Sequence, residues 1–257
     1  MTDTIAYDVN DGIATITLNR PESLNAFNRE MRHGLNQATE QAANDQSVRV
    51  VVLRGAGRAF CSGADLAEGL PADQVKGIIE NEFKPALMNL ATMPKPVIAS
   101  VRGAAAGIGA SFAFACDLTV MSDGAFFMMP FAMIGLVPDG GATMQLVRAV
   151  GQRKAYEMAI EGTRLSAQDA AEYGLANRVV LDADLETETM EWAKSLCDKA
   201  PLALASTKQV VRDVALAGLD QSISIEAEVQ AGLAASEDCA EGIRAFFEKR
   251  PPVYRGR

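Results

Sequence analysis

The sequence predicts an α/β fold with a helical C-terminal third. Short apolar or alternating segments, typical of strands, are separated by helical or glycine-rich segments through the first half of the chain. After about Thr143 the apolar residues recur instead at the spacing of helices. The 257 residues are 49% hydrophobic and 22% charged, which is typical of a globular protein with a sizeable core. We therefore expect an α/β core over residues 1–195 and a helical region over residues 196–257.

The first elements are predicted from a hairpin pattern and two apolar patterns. The segment Ile5–Leu18 carries a turn signal, Asn10-Asp11-Gly12, between two runs rich in strand-forming residues, which predicts a β-hairpin. Apolar residues at helical spacing predict a helix over Asn28–Ala43. The continuous apolar run Val48–Leu53 predicts a buried parallel strand.

The later segments continue this alternation and then become helical. The expected strands are Pro96–Val101, Leu118–Met121 and Ala125–Met128. The expected helices are Ala72–Ala91, a short apolar helix ending at Cys116, Asp182–Lys199, Leu202–Ala217 and Gln221–Ala235. Ser166 followed by Asp169 forms a capping-box pattern that predicts one more helix start.

Charge and composition exclude several classes of protein. Lys and Arg number 24 against 33 Asp and Glu, and this net charge of −9 argues against nucleic-acid binding. The four cysteines form no CxxC pair and there is one histidine, so no metal site is predicted. No apolar segment reaches the ~20 residues of a membrane span, and no signal peptide is visible. We expect a cytoplasmic protein that binds neither nucleic acid nor membrane.

Three segments place glycines where a strand ends and a helix begins. They are Gly57–Leu66, Val101–Gly109 and Ile134–Thr143. Backbone N–H groups at such points have no helical partner and can point at an oxyanion. Taken singly, each segment is also typical of a tight turn, and Pro138-Asp139-Gly140 is a common turn string.

Other catalytic motifs are incomplete in this sequence. A dinucleotide fingerprint begins at Gly107 but has Phe112 in place of its third glycine. Ser111 lies in a near miss of the GxSxG nucleophile motif, and the single histidine, His33, lies far upstream. Neither pattern supports a nicotinamide enzyme or a serine hydrolase.

The C-terminal segment Arg244–Arg257 carries five basic residues and one acid. Such a segment serves either as a solvated tail that helps solubility or as a clamp for a phosphorylated ligand. The residues alone leave both interpretations open.

In four ordered motifs the chain resembles the enoyl-CoA hydratase/isomerase (crotonase) superfamily. The motifs are Asn19–Ala26, Phe60–Leu66, the pair Lys95–Ala99 and Gly103–Asp117, and Phe246–Pro251. The resemblance implies a crotonase-type spiral of ββα units, with the site in the core and a helical C-terminal trimerisation region. It implies an acyl-CoA thioester as substrate, no cofactor beyond the coenzyme A of that substrate, and a homotrimer or dimer of trimers. The C-terminal apolar face expected to support assembly comprises Val210, Val214, Leu216, Leu219, Ile223 and Ile225.

The resemblance also implies roles for individual residues. The N–H groups of Ala64 and Ile108 would form the oxyanion hole for the thioester oxygen. At Ile108 the family usually has glycine, a change that a backbone donor tolerates. The other implied substrate or CoA contacts are Arg20, Leu24, Ala26, Ser62, Gly63, Asp65, Leu66, Gly107, Phe131 and Lys249.

The carboxylates expected at the site distinguish the possible reactions of the family. The two glutamates used by hydratases of the family align with Ser111 and Phe131, so both are missing. Asp139 remains, in a string similar to the branch of 1,2-epoxyphenylacetyl-CoA isomerase and Δ3,Δ2-enoyl-CoA isomerases, and that similarity implies an isomerase with Asp139 as the acid/base. The alternatives are a hydratase or another crotonase reaction, such as decarboxylation or dehalogenation, and a non-catalytic acyl-CoA-binding protein. An apolar cluster is expected to form the pocket wall in part and the core in part, and it comprises Phe127, Met128, Met129, Phe131 and Met133.

Overall fold

A computed structural model describes residues 3–69, 71–199, 201–215, 219–250 and 252. In this part of the chain the main sheet has six strands in the order β1-β2-β3-β4-β6-β9. All neighbours in it are parallel except the β1–β2 hairpin. The strands are β1 (Ile5–Asn10), β2 (Ile13–Leu18), β3 (Val50–Gly55), β4 (Val97–Val101), β6 (Leu118–Ser122) and β9 (Arg178–Val180).

The predicted hairpin is confirmed, and its turn explains why. Asp11 and Gly12 both have positive φ, at 50° and 79°. That is the backbone of a two-residue turn whose twist matches the twist of the flanking strands. The capping box is also confirmed, because the Ser166 hydroxyl accepts the Asp169 N–H at 3.1 Å at the start of a helix.

A second, small sheet contains β5 (Ala104–Ala106), β7 (Phe126–Met128) and β8 (Arg164–Ser166). The expectation that the chain is purely helical after Thr143 is wrong, because β8 and β9 both follow that residue. Each of these strands has three residues, too few to show a period of two. Their pairing with distant strands, rather than any local pattern, makes them strands.

The helices agree with most predicted bounds. They are α1 (Arg29–Asn44), α2 (Val75–Ile78), α3 (Lys84–Thr92), α4 (Ile108–Ala115), α5 (Ala142–Glu161), α6 (Ala167–Glu172), α7 (Leu185–Cys197), α8 (Pro201–Ala215), α9 (Leu219–Ala234) and α10 (Glu237–Glu248). The single helix expected over Ala72–Ala91 is interrupted by a π-helical turn at Ile79–Phe83. Such turns are frequent at functional sites, and this one borders the cavity described below.

The central strands β3 and β4 of the main sheet are buried on both faces, which accounts for the continuous apolar run in β3. Val51 and Leu53 join the large core beneath α1, α3 and α4. Val50 and Val52 point to the opposite face, where they join a smaller core that includes Leu185 of α7. Strands covered on both faces cannot alternate apolar with polar residues.

The C-terminal helices pack against the α/β core of their own chain. Helix α9 contacts α2, and α10 contacts the 3-10 turn Pro130–Ile134. Of the six residues expected to form an exposed apolar assembly face, Ile223 is buried in the main core. The side chains of the other five, Val210, Val214, Leu216, Leu219 and Ile225, lie outside the described residues. The division at residues 195 and 196 remains a prediction.

Candidate active site

The first glycine-rich loop, Gly57–Leu66, follows β3 and is held by Phe27. The Phe27 N–H donates to the Gly63 carbonyl at 2.8 Å, and the Asp65 N–H donates to the Phe27 carbonyl at 3.0 Å. In this parallel bridge the residue between, Ala64, uses neither of its own backbone groups. Among the described residues the Ala64 N–H has no acceptor, and Ala64 is exposed on a cavity.

The second glycine-rich loop lies at the end of the Val101–Gly109 segment and joins β5 to α4. Gly107 has φ 55° and ψ −135°, a conformation that needs glycine, and α4 begins at the next residue. As the first helical residue, Ile108 has an N–H without an intrahelical acceptor. Within the described part of the chain no other acceptor reaches it. The Ile108 side chain is buried, so this residue supplies a backbone donor and an apolar wall together.

The two loops lie against each other. Cys61 pairs with β5 through its N–H to the Ala104 carbonyl at 3.0 Å and its carbonyl to the Ala106 N–H at 2.8 Å. A Cβ built on Gly107 would lie 3.6 Å from the Cα of Gly63, in van der Waals contact. Both loops therefore border one cavity of about 430 Å³. Two unused N–H groups on the wall of one cavity are available to donate to a bound oxyanion.

Asp139 lies on the same cavity, in the loop before α5, and its side chain is 6% exposed. The Ser111 hydroxyl of α4 donates to the Asp139 carbonyl at 2.8 Å. Gly140, at φ 64°, packs so closely that a Cβ there would lie 2.4 Å from Cδ1 of Ile108 and 2.8 Å from Cβ of Ser111. These contacts fix Asp139 beside the first turn of α4, next to the proposed oxyanion donor at Ile108.

Gln230 of α9 reaches Asp139 and was not found by sequence reasoning. Its Nε2 lies 3.3 Å from Asp139 Oδ2, and its Oε1 accepts the Val137 N–H at 3.2 Å. Gln230 is 3% exposed and lines the cavity. A glutamine in a helix 91 residues away from its partner carries no local signal.

The other carboxylates that line the described cavity form ion pairs. Asp65 Oδ2 lies 2.9 Å from the guanidinium of Arg20, and Glu68 Oε2 lies 3.0 Å from that of Arg32. Arg32 also binds Glu82 at 2.6 Å and is almost fully buried. Arg32 lines the cavity as well and was not predicted, because its exposed-looking helical position gave no indication of burial.

The early stretch Asn19–Ala26 supports the first loop from behind. The Leu24 carbonyl accepts the Ser62 N–H at 3.0 Å, and the Ala26 carbonyl accepts Nη1 of Arg20 at 2.6 Å. Leu24 itself has φ 52°. These three predicted contacts, Arg20, Leu24 and Ala26, thus lie one layer behind the cavity lining.

The structure brings most of the sequence-predicted site residues to one cavity. The predicted residues that line it are Ser62, Gly63, Ala64, Asp65, Leu66, Gly107, Ile108, Phe131 and Asp139. Lys249 is exposed at the end of α10, with φ 52°, and does not line the cavity.

The expected division of five apolar residues between pocket wall and core is confirmed for three of them. Phe131 lines the cavity, and Phe127 and Met129 are fully buried in the core, whereas Met133 is 50% exposed. Neither Met133 nor Met128 lines the cavity, and only Phe131 of the five does so.

His33 is exposed on α1 and lies outside the cavity lining, whereas Ser111 is buried and bonded to the Asp139 carbonyl. The pair is not placed for nucleophilic catalysis. In the described residues no group of three His, Cys, Asp or Glu side chains is arranged to hold a metal ion, and no helix there is long and apolar enough to cross a membrane.

Comparison with known proteins identifies the family. The model of the enoyl-CoA hydratase/isomerase family matches residues 8–257. The chain belongs to the enoyl-CoA hydratase/isomerase family. Membership confirms the superfamily and fold predicted from the ordered motifs.

Members of the family with different names are similar to this chain. It is 40% identical over 255 residues to a probable enoyl-CoA hydratase of Rhodobacter capsulatus, covering 99% of this chain and 98% of that protein. It is 37% identical to the 1,2-epoxyphenylacetyl-CoA isomerase of Escherichia coli, over the full length of both. A crystal structure of an enoyl-CoA hydratase from Mycobacterium avium subsp. paratuberculosis superposes with a TM-score of 0.91 at 37% identity, covering 98% of each chain. Family membership therefore does not choose between hydration and isomerisation.

Proposed function

We propose that this protein is an acyl-CoA isomerase that shifts a proton along an enoyl-CoA, or an epoxyphenylacetyl-CoA-like, substrate. The observation that supports this choice is the placement of one carboxylate, Asp139, on the cavity that Ala64 and Ile108 also line. The positions implied for hydratase glutamates hold Ser111, which binds the Asp139 carbonyl, and Phe131, which is apolar. A single carboxylate suffices for a 1,3-proton shift, whereas hydration needs one group to activate water and another to protonate carbon.

In the proposed reaction the thioester oxygen accepts hydrogen bonds from the N–H groups of Ala64 and Ile108. These bonds are strongest when the oxygen carries the charge of an enolate, so they acidify the adjacent acyl carbon. The Asp139 carboxylate removes a proton from one carbon and returns it to another, which moves the double bond. No electrons are gained or lost, so the reaction needs no cofactor beyond the coenzyme A of the substrate.

Part of the cavity lining suits an apolar acyl chain. The lining includes the apolar residues Val75, Ile78, Ile79, Phe83, Ile134 and Leu136. These side chains offer an acyl chain an apolar surface and hold no water at that side of the cavity. An apolar lining also strengthens the interactions of the enolate with the backbone donors.

Enoyl-CoA hydratase activity is the second candidate, and the relative in Rhodobacter capsulatus favours it. Purified protein incubated with 2-enoyl-, 3-enoyl- and phenylacetyl-derived CoA esters separates the candidates by mass spectrometry. Isomerisation leaves the mass unchanged while the double bond moves, and hydration adds one water. A protein that binds these esters without forming product would contradict both.

We also propose a homotrimer or dimer of trimers in the cytoplasm. Large apolar side chains on the outer helices support assembly, because burying them stabilises association. Phe246 and Phe247 of α10 are 60% and 55% exposed, and Tyr156 of α5 is 67% exposed. Light scattering that shows a stable monomer at micromolar concentration would contradict this assembly.

A further inference from the structure

Gln230 connects the C-terminal helix α9 to the carboxylate of Asp139. Its carboxamide lies between two groups of one loop, the Val137 N–H and the Asp139 side chain. Both Gln230 and Asp139 are almost fully buried. A hydrogen bond between a buried amide and a buried carboxylate is electrostatically stronger than the same bond in water.

The orientation of the carboxamide follows from its partners. The Val137 N–H is a donor, so only the amide oxygen can face it, at 3.2 Å. The amide nitrogen must then face Asp139 Oδ2, at 3.3 Å. The backbone at Val137 thus selects the orientation in which Gln230 donates to the carboxylate.

We infer that Gln230 is a positioning residue for Asp139: it fixes the plane of the carboxylate and favours its charged form. This inference rests on the proposed role of Asp139 as the acid/base. A proton shuttle needs a carboxylate that is ionised when substrate arrives and that points at the acyl chain. A donor to Oδ2 supports both requirements. A hydrogen bond to the carboxylate favours its charged form, and it also fixes the orientation of the carboxylate.

The placement of Gln230 also makes α9 part of the site. Asp139, Ser111 and Ile108 all belong to the α/β core, whereas Gln230 comes from the C-terminal helices. The remaining charged groups that line the cavity are Arg29, Arg32, Asp65 and Glu68. Asp65 and Glu68 are bound to arginines, so changes at Gln230 leave those ion pairs intact.

The test compares Gln230→Met and Gln230→Glu with wild type. Methionine keeps the length and removes the donor, and glutamate keeps the shape and adds a second negative charge. The matched control is Gln145→Met, because Gln145 of α5 also donates its amide to a protein oxygen, the Phe114 carbonyl at 3.3 Å, but lies away from the cavity.

The first readout is the titration of the Asp139 carboxyl, followed by ¹³C NMR of protein labelled at aspartate Cγ and assigned with Asp139→Asn. We expect the midpoint to rise by roughly one unit in Gln230→Met and further in Gln230→Glu. Gln145→Met keeps the wild-type midpoint. An unchanged midpoint in Gln230→Met overturns the inference, whether or not the protein isomerises any ester. If Gln230→Met fails to fold, Gln230→Leu removes the same donor without adding a charge and decides instead, because the new charge in Gln230→Glu raises the midpoint by itself.

The second readout is the pH profile of isomerisation. We expect kcat of Gln230→Met to fall about tenfold at neutral pH with KM nearly unchanged, and the acidic limb of the profile to move upward with the midpoint. A loss of activity without a shift of that limb would indicate a structural role only and overturn the inference. Wild-type protein that gives no isomerisation or proton exchange would instead refute the proposed function, while the NMR titration still decides the role of Gln230.

Discussion

The backbone donor at Ile108 can be removed with little damage to the fold. Ile108 is the first residue of α4, where its N–H serves no helical bond, and proline is tolerated at that position. Ile108→Pro therefore deletes the proposed oxyanion donor while α4 can still form. The matched control is Ile108→Val, which keeps the N–H and has a side chain of similar size to proline.

The two changes differ in what they remove. Ile108 is 2% exposed, so trimming it to valine costs about 0.5–1.5 kcal/mol of stability. We expect Ile108→Val to retain most of the isomerase activity. Ile108→Pro leaves only the Ala64 donor, and loss of one oxyanion donor lowers kcat by about 10²–10³-fold.

Isomerisation of a 3-enoyl-CoA ester, followed by the absorbance of the conjugated product, measures the rate. Thermal unfolding and acyl-CoA affinity check that both variants fold and bind. The proposed role of the Ile108 N–H is refuted if Ile108→Pro folds, binds the ester and turns it over within about threefold of the Ile108→Val rate. The backbone donor would then contribute little.

Three further predictions concern buried polar groups. Asp139→Asn keeps the shape of the loop and removes the base. We expect ester binding to persist while solvent deuterium exchange at the acyl carbons falls at least 10²-fold. A near wild-type exchange rate would contradict the proposed mechanism. Lys208 is 8% exposed and binds Asp117, which is 24% exposed, at 2.7 Å, so Asp117→Leu alone should lower the free energy of unfolding by about 1–3 kcal/mol in urea denaturation. Adding Lys208→Met should restore only part of that loss, because Lys208 also donates to the Leu90 and Lys95 carbonyls. A coupling energy of zero between the two changes, measured with Lys208→Met alone as the remaining variant, would exclude this pairing. Burial raises the pKa of Cys61 to about 12, so at pH 8 about one thiol in 10⁴ is ionised. Folded protein should therefore not react with a disulfide reagent at this residue. Rapid labelling of Cys61, confirmed by peptide mapping, would contradict its burial.

The sequence predicted the parts of the fold that depend on local pattern. Three features were predictable because residues within one element determine each of them. They are the Asn10-Asp11-Gly12 turn, the apolar run of β3 and the buried stripe of α1. Strands β8 and β9 were missed because three residues carry no period and only distant partners make them strands. The π-helical turn was missed for a related reason, since it depends on how the helix packs.

The site was predictable where glycines mark it. Gly63, Gly107 and Gly140 permit backbone conformations or close approaches that other residues cannot adopt, so their spacing carries information. Gln230 and Arg32 carry no such mark, because what matters is the partner that the fold brings to them. Which apolar residues near β7 line the cavity could not be predicted for another reason. An apolar residue beside a site can face either the cavity or the core, and the sequence pattern alone does not distinguish the two.

The contact between Ser111 and the Asp139–Gly140 loop limits which side chains residue 111 can carry. The backbone of Gly140 fills the space beside Ser111 Cβ, and the Ser111 hydroxyl donates to the Asp139 carbonyl. A glutamate introduced at residue 111 would lose that bond and would need room that the loop occupies. We therefore expect a carboxylate at residue 111 to require a compensating change in the loop before α5, so the two segments have to be redesigned together.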